Sequence, residues 1–124
     1  MGKPDNTGFL RVIRAARYSA QGFAHAWRHE SAFRQELTLA LIMAPIALWL
    51  GRAPLEKALL IGVCLLVLVT ELLNSAIEAT VDRVSEEHHE LSGRAKDLGS
   101  AAVFVALTIA GLTWGTVIYD RFIA

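Results

Sequence analysis

Residues 98–119 run for 22 positions without a charged side chain, and no other feature restricts the possible folds so strongly. About 20 apolar residues in a helix cross a hydrocarbon core roughly 30 Å thick. Inside lipid every backbone polar group must be satisfied within the segment, which leaves the helix as the only form for a lone stretch of this kind. Residues 58–70 form a second uncharged run, and the helical pattern continues from it through Val84. A third run, 37–51, is 15 residues long; borrowing 32–35, with Arg34 snorkelling toward headgroups, makes it long enough to span. Pro45 lies inside it as a candidate kink, and Trp49 sits where an interfacial aromatic anchor belongs. Gly51, Arg52, Ala53 and Pro54 make the turn between the first two runs. The expectation is one all-α membrane domain, residues 1–124, with spans at about 33–51, 56–84 and 98–119. Gly111 and Gly115 permit close helix approach in the last of them.

The chain is 54% hydrophobic and 19% charged, with a net charge of zero, and its charges are segregated. They lie mainly before residue 37 and between 71 and 97. Residues 8–28 are patterned as an N-terminal amphipathic surface helix. Phe9, Val12, Ile13, Ala16, Ala20, Phe23 and Trp27 fall on one side, and Arg14, Arg17, Gln21, His25 and Arg28 on the other. Arginines opposite aromatic residues suit the headgroup layer, the alternative being a helix resting on a soluble core. Nine of the 12 lysines and arginines belong to the N-terminal region and the 82–97 segment, which places both on the cytoplasmic side. Cys64 is the only cysteine, so no disulfide forms within the chain.

Against this apolar background stand Glu71, Asn74, Ser75, Glu78 and Asp82, at i, i+3, i+4, i+7 and i+11. That spacing collects them on one side of a helix. Carboxylates at membrane depth are costly and normally face a protein interior or water, which makes this seam a candidate site. Glu71 and Glu78 are separated by a rise of about 10 Å, too far to share a proton and suited to two roles at two depths. A seam that merely specifies helix pairing has the same pattern. Glu78, Asp82, Glu86, Glu87, Glu90 and Asp97, with Glu30 and Glu36 from the joint after the first helix, supply hard oxygen ligands. Magnesium is commonly held by one or two carboxylates together with substrate phosphates; a solvated acidic loop looks alike. Residues 93–100, G-R-A-K-D-L-G-S, combine cations and glycines at the expected start of the last helix, where phosphate could bind. Arg94 and Lys96 equally serve as a positive-inside anchor. Neither a Walker A nor a protein-kinase glycine loop is present.

The string E-L-L-N-S-A-I-E-A-x-V-D-R at 71–83, followed by H-E-L-S-G-R-A-K-D-x-G-S-A-A at 89–102, strongly resembles the small prokaryotic diacylglycerol kinases. G-F-x-R-x-x-x-A at 8–15, Tyr18-Ser19 and E-x-A-F-R-Q-E at 30–36 agree with it. The resemblance implies a homotrimer of three-span protomers with surface helices, active sites shared between subunits, and ATP-dependent phosphorylation of a lipid alcohol in the bacterial inner membrane. Carried over position by position, it makes Glu71 the catalytic base and Glu30 and Glu78 the ligands of the Mg²⁺ that accompanies ATP. Arg11, Tyr18, Glu87, His88, His89, Lys96 and Asp97 complete the nucleotide set, and the pattern often has Tyr where His88 stands. Glu36, Asn74 and Ser100 match lipid-side positions. No nucleic-acid partner is implied. Two other readings compete with phosphatidic acid synthesis: an undecaprenol kinase of the same architecture, and a small proton-coupled carrier using Glu71 and Glu78 as a relay.

Overall fold

The computed structural model describes residues 7–84 and 89–124. Among them the chain forms four helices: α1 (Gly8–His29), α2 (Ser31–Leu50), α3 (Pro54–Val84) and α4 (Glu90–Phe122). Three of these, α2, α3 and α4, are long and apolar enough to cross a membrane. Each expected span thus falls within a helix able to cross a membrane by length and composition. α2 runs through Pro45 without a break, and α3 begins at Pro54, a residue whose fixed φ and missing N–H suit the first helical position.

One boundary differs from expectation. The last helix begins at Glu90 rather than near residue 98, so most of the anticipated polar loop is its first two turns. His89 explains the early start: its Nδ1 accepts a hydrogen bond from the Leu91 N–H at 3.0 Å, capping the helix. An imidazole can satisfy an orphan first-turn donor as an Asn or Asp side chain does. Residues 93–100 thus lie within the helix, and their N–H groups are not a free terminus for phosphate.

α3 lies against both α2 and α4, so it is the central element. At the far end Ala47, Leu50, Leu60, Val63 and Trp114 form one buried cluster, and the Trp114 indole N–H donates to the Leu60 carbonyl at 3.1 Å. The α2–α3 turn is tied to the end of α4. Arg52 donates to the Asp120 carbonyl at 2.9 Å and pairs with its carboxylate at 3.4 Å. Arg121 donates to the Leu50 carbonyl at 3.1 Å, satisfying one of the acceptors left at the end of α2. Gly51 is required there for space: a Cβ would sit 2.5 Å from Lys57 Cγ and 3.0 Å from its backbone N.

The near end is held differently. Glu30 breaks the helix with extended φ and ψ of −118° and 104°, and beyond it Phe33, 1% exposed, is buried with Ala26 and Leu68. Its ring meets Phe23 of α1 at 6.4 Å. This aromatic joint fixes where α1 leaves the bundle. Elsewhere large apolar side chains such as Leu41, Leu66, Phe104 and Leu112 point outward from the three long helices, as lipid-facing or subunit-facing surfaces do. Phe33→Ala is expected to destabilise the fold by about 3–5 kcal/mol and to loosen α1 first. Thermal unfolding in detergent, with protease accessibility of residues 8–29, checks both.

Candidate functional site

Glu71 is the one buried charged residue among those described, 6% exposed. Its place follows from helix geometry. Leu60, Val63, Val67 and Leu68 are buried on the same helix, and a step of four from Val67 carries the same inward face to Glu71. From α2, Glu36 brings its carboxyl within hydrogen-bonding reach of Glu71. One turn along α3, Asn74 faces α4 at Gly99, which is buried. A Cβ on Gly99 would run into Asn74 Oδ1, so glycine is what lets the two helices close at this level.

Two oxygens in this layer are buried with no hydrogen-bond partner: Glu36 Oε2 and Asn74 Oδ1. Buried acceptors are nearly always paired in native proteins, and an unpaired one calls for an explanation. Here two lie in the layer that holds the buried Glu71. Neither oxygen meets a donor among the described residues.

Toward the near end the polar groups pair across elements. The Ser75 hydroxyl donates to Glu30 Oε1 at 2.9 Å, linking the α1–α2 joint to α3 across 45 positions of sequence. Lys96 on α4 reaches Asp82 on α3, with Nζ 2.7 Å from Oδ1. Glu78, half-buried, lies on α3 between these two links. Chain topology thus brings Glu30, Glu36, Glu71, Asn74, Glu78 and Lys96 to the same half of the bundle. No group of three or more His, Cys, Asp or Glu side chains suited to a metal ion occurs among the described residues. Glu30 and Glu78 together offer two hard carboxylates, a donor set that fits Mg²⁺ only with phosphate oxygens completing the shell.

The remaining expected site residues are dispersed. Arg11 and Tyr18 are exposed on α1, and Asp97 and Ser100 are exposed on α4. His89 serves as the α4 cap. Glu87 and His88 lie outside the described residues. Asp82 stands on the acidic face read from spacing, but its pairing with Lys96, the pairing of Ser75 with Glu30 and the close approach at Gly99 were not recognisable from spacing alone; the small-residue run G-S-A-A at 99–102 was the available signal for Gly99. A cavity of about 680 Å³ opens between α1 and α3, bordered by Ser19, Phe23, His29, Glu30 and Ser75. A smaller one of about 160 Å³ lies between Glu36 and Trp114 in the apolar part of the bundle.

Three apolar helices around a buried acidic layer define a multi-pass membrane protein with an internal polar site. Comparison with known proteins makes the class specific. Residues 17–118 match the model of the prokaryotic diacylglycerol kinase family. The chain is 50% identical to the diacylglycerol kinase of Escherichia coli K12 over 118 residues, covering 95% of this chain and 97% of that one. It is 55% identical to the diacylglycerol kinase of Pseudomonas aeruginosa over 112 residues, 90% and 91% of the two chains. With that of Helicobacter pylori 26695 the identity is 45% over 112 residues, 90% and 88% of the two. The chain belongs to the prokaryotic diacylglycerol kinase family and is an enzyme.

The Gly99–Asn74 contact yields a test independent of turnover. Gly99→Ala is expected to destabilise the bundle by about 1–3 kcal/mol through overpacking. In an Asn74→Ala background the same change should lose most of that penalty. A double-mutant cycle on unfolding free energies measures the difference.

Proposed function

We propose that this protein transfers the γ-phosphoryl group of ATP to the free hydroxyl of diacylglycerol, making phosphatidic acid at the cytoplasmic face of the bacterial inner membrane. The observation that carries the reading is the cluster of unpartnered acceptors in the layer of Glu71. Such a cluster is completed by an O–H donor, and the alcohol of a lipid lying among the helices is one.

In this mechanism Glu71 accepts the hydroxyl proton as the lipid oxygen forms its bond to the γ-phosphorus and the bond to the ADP oxygen breaks. Asn74 and Glu36 orient the hydroxyl, and Ser100 meets the lipid side. Depth serves the reaction as well, because an apolar surround keeps water from competing for the phosphoryl group. Phosphoryl transfer asks the protein chiefly for positioning and charge neutralisation. Lys96, paired with Asp82 on α3, supplies a cation to the phosphates. Glu30, set in place by Ser75, and Glu78 would hold Mg²⁺ with ATP; the ion's contribution is to neutralise phosphate charge.

Arg11, Tyr18, Glu87, His88, His89 and Asp97 complete the nucleotide set. The exposure of Arg11 and Tyr18 on α1 and of Asp97 on α4, with the large outward apolar side chains, supports a homotrimer in which neighbouring subunits build each site. The lysine and arginine distribution supports a cytoplasmic N-terminus, and α1 lying as a surface helix would set its arginines among headgroups.

Purified protein in mixed micelles with labelled ATP and Mg²⁺, offered dioleoylglycerol or undecaprenol, tests the reading directly. Label is expected in dioleoylglycerol. Transfer to neither alcohol would overturn the lipid-kinase mechanism, and a preference for undecaprenol would replace the substrate. Glu71→Gln should lower turnover by about 10²–10⁴-fold, the usual worth of a general base, while the protein still assembles. Near-normal turnover in this variant would remove Glu71 from the role of base. Lys96→Met should act mainly by raising the KM for ATP.

A further inference from the structure

His25 and His29 have no part in the mechanism above, yet they are placed in a way that invites a ligand. They are four residues apart on α1, which puts both on one face of the helix. Their rings lie 6.1 Å apart, centre to centre, at an interplanar angle of 22°. Both are exposed, and neither ring hydrogen-bonds to another side chain or to the backbone among the described residues. The backbone beneath them is fixed. Ala26 between them is buried, and the Glu30 N–H closes the last turn on the Ala26 carbonyl at 2.9 Å. Both imidazoles border the 680 Å³ cavity between α1 and α3, together with Glu30.

We propose that His25 and His29 form a two-histidine site for a transition-metal dication of the Zn²⁺ class, at the rim of this cavity. Imidazole nitrogen binds such ions at about 2.0–2.1 Å, so two rings sharing one tetrahedral ion have centres about 5–5.5 Å apart. The observed separation of 6.1 Å exceeds that by less than about 1 Å, and exposed rings turn readily about their side-chain bonds to close the difference and aim a nitrogen each. Neutral imidazole suits zinc, copper and nickel, whereas magnesium prefers oxygen and keeps its waters. The site is therefore chemically separate from the one proposed for Mg-ATP. Water fills the remaining positions of the shell, and the negative charge of Glu30 in the same cavity favours a cation. The inference does not depend on which lipid is phosphorylated.

Calorimetric titration of Zn²⁺ into the full-length protein in detergent, without nucleotide and with millimolar Mg²⁺ present, tests it. One ion per chain is expected, with affinity falling at least tenfold in His25→Ala and, separately, in His29→Ala. With Cu²⁺ as the probe, the electron paramagnetic resonance spectrum should show two nitrogen ligands in the unaltered protein and fewer in either variant. His25→Gln, which keeps a polar side chain at the position, should lose the ion with the same elution volume as the parent. Absence of saturable Zn²⁺ uptake overturns the proposal. So does uptake that either alanine variant leaves unchanged, or copper coupling to two nitrogens that survives both.

Discussion

Burial of the Glu71 carboxylate between three apolar helices is the constraint on which the rest of this structure depends. A charge-bearing group placed there is tolerated only where protein, rather than lipid, surrounds it. Helices α2 and α4 supply that surround, and each had to be fitted to it. α2 contributes a second acid, Glu36, in place of a hydrocarbon side chain. α4 contributes no side chain at all at Gly99, so that Asn74 can lie against its backbone. What results is a polar layer one side chain deep, with two buried oxygens that no donor meets among the described residues.

Such a layer weakens the bundle locally, and the two ends are fastened by different means. At the far end, basic side chains reach carbonyls: Arg121 to Leu50 and Arg52 to Asp120. Charge-assisted bonds of this kind are stronger than neutral ones and close the α2–α3 turn onto α4. Arg121 also lies 5.3 Å from the centre of the Trp49 ring, combining the cation with an interfacial aromatic. At the near end the fastening is Phe33 in an apolar socket, reinforced by Ser75 holding Glu30. Both ends thus combine apolar burial with polar links: charge-assisted bonds to carbonyls beside the Trp114 cluster at the far end, and Ser75–Glu30 with Lys96–Asp82 beside the Phe33 socket at the near end.

How much of this was legible depended on the range of the interaction. Periodicity along one helix is local, so the inward face carrying Glu71, Asn74, Ser75 and Glu78 could be read from spacing. Uncharged length is local too, and it located the three long helices. The start of α4 was misplaced because His89 is an uncommon cap: polarity at 90–97 resembles a loop until a side-chain acceptor is found for the first turn. Pairings that join distant positions leave no periodic trace. Ser75 with Glu30, Lys96 with Asp82 and Gly99 with Asn74 each depend on how helices are laid side by side. The family resemblance had indicated that Glu30 belongs with Glu78, but the residue that holds Glu30 in place emerges only from the fold.

The same layout decides between phosphotransfer and proton transport. A carrier using Glu71 and Glu78 as a relay needs polar groups leading onward through the membrane. From Glu71 toward the far end, α3 buries Leu68, Val67, Val63 and Leu60 in succession, and the 11 residues down to Leu60 amount to about 16 Å of helix. Opposite them stand Ala47 and Trp114, and the indole N–H of Trp114 is already committed to the Leu60 carbonyl. The smaller cavity in this region is lined by Leu39, Met43, Val67, Leu107 and similar apolar groups below Glu36, which offer a proton no successive sites. Glu56 and Asp120 stand beyond that barrier, at the far-end clamp. A polar layer that opens toward Glu78, Asp82 and Lys96 but ends against hydrocarbon is a one-sided site. That asymmetry suits an enzyme that meets its water-soluble substrate from one face and its lipid from within the membrane.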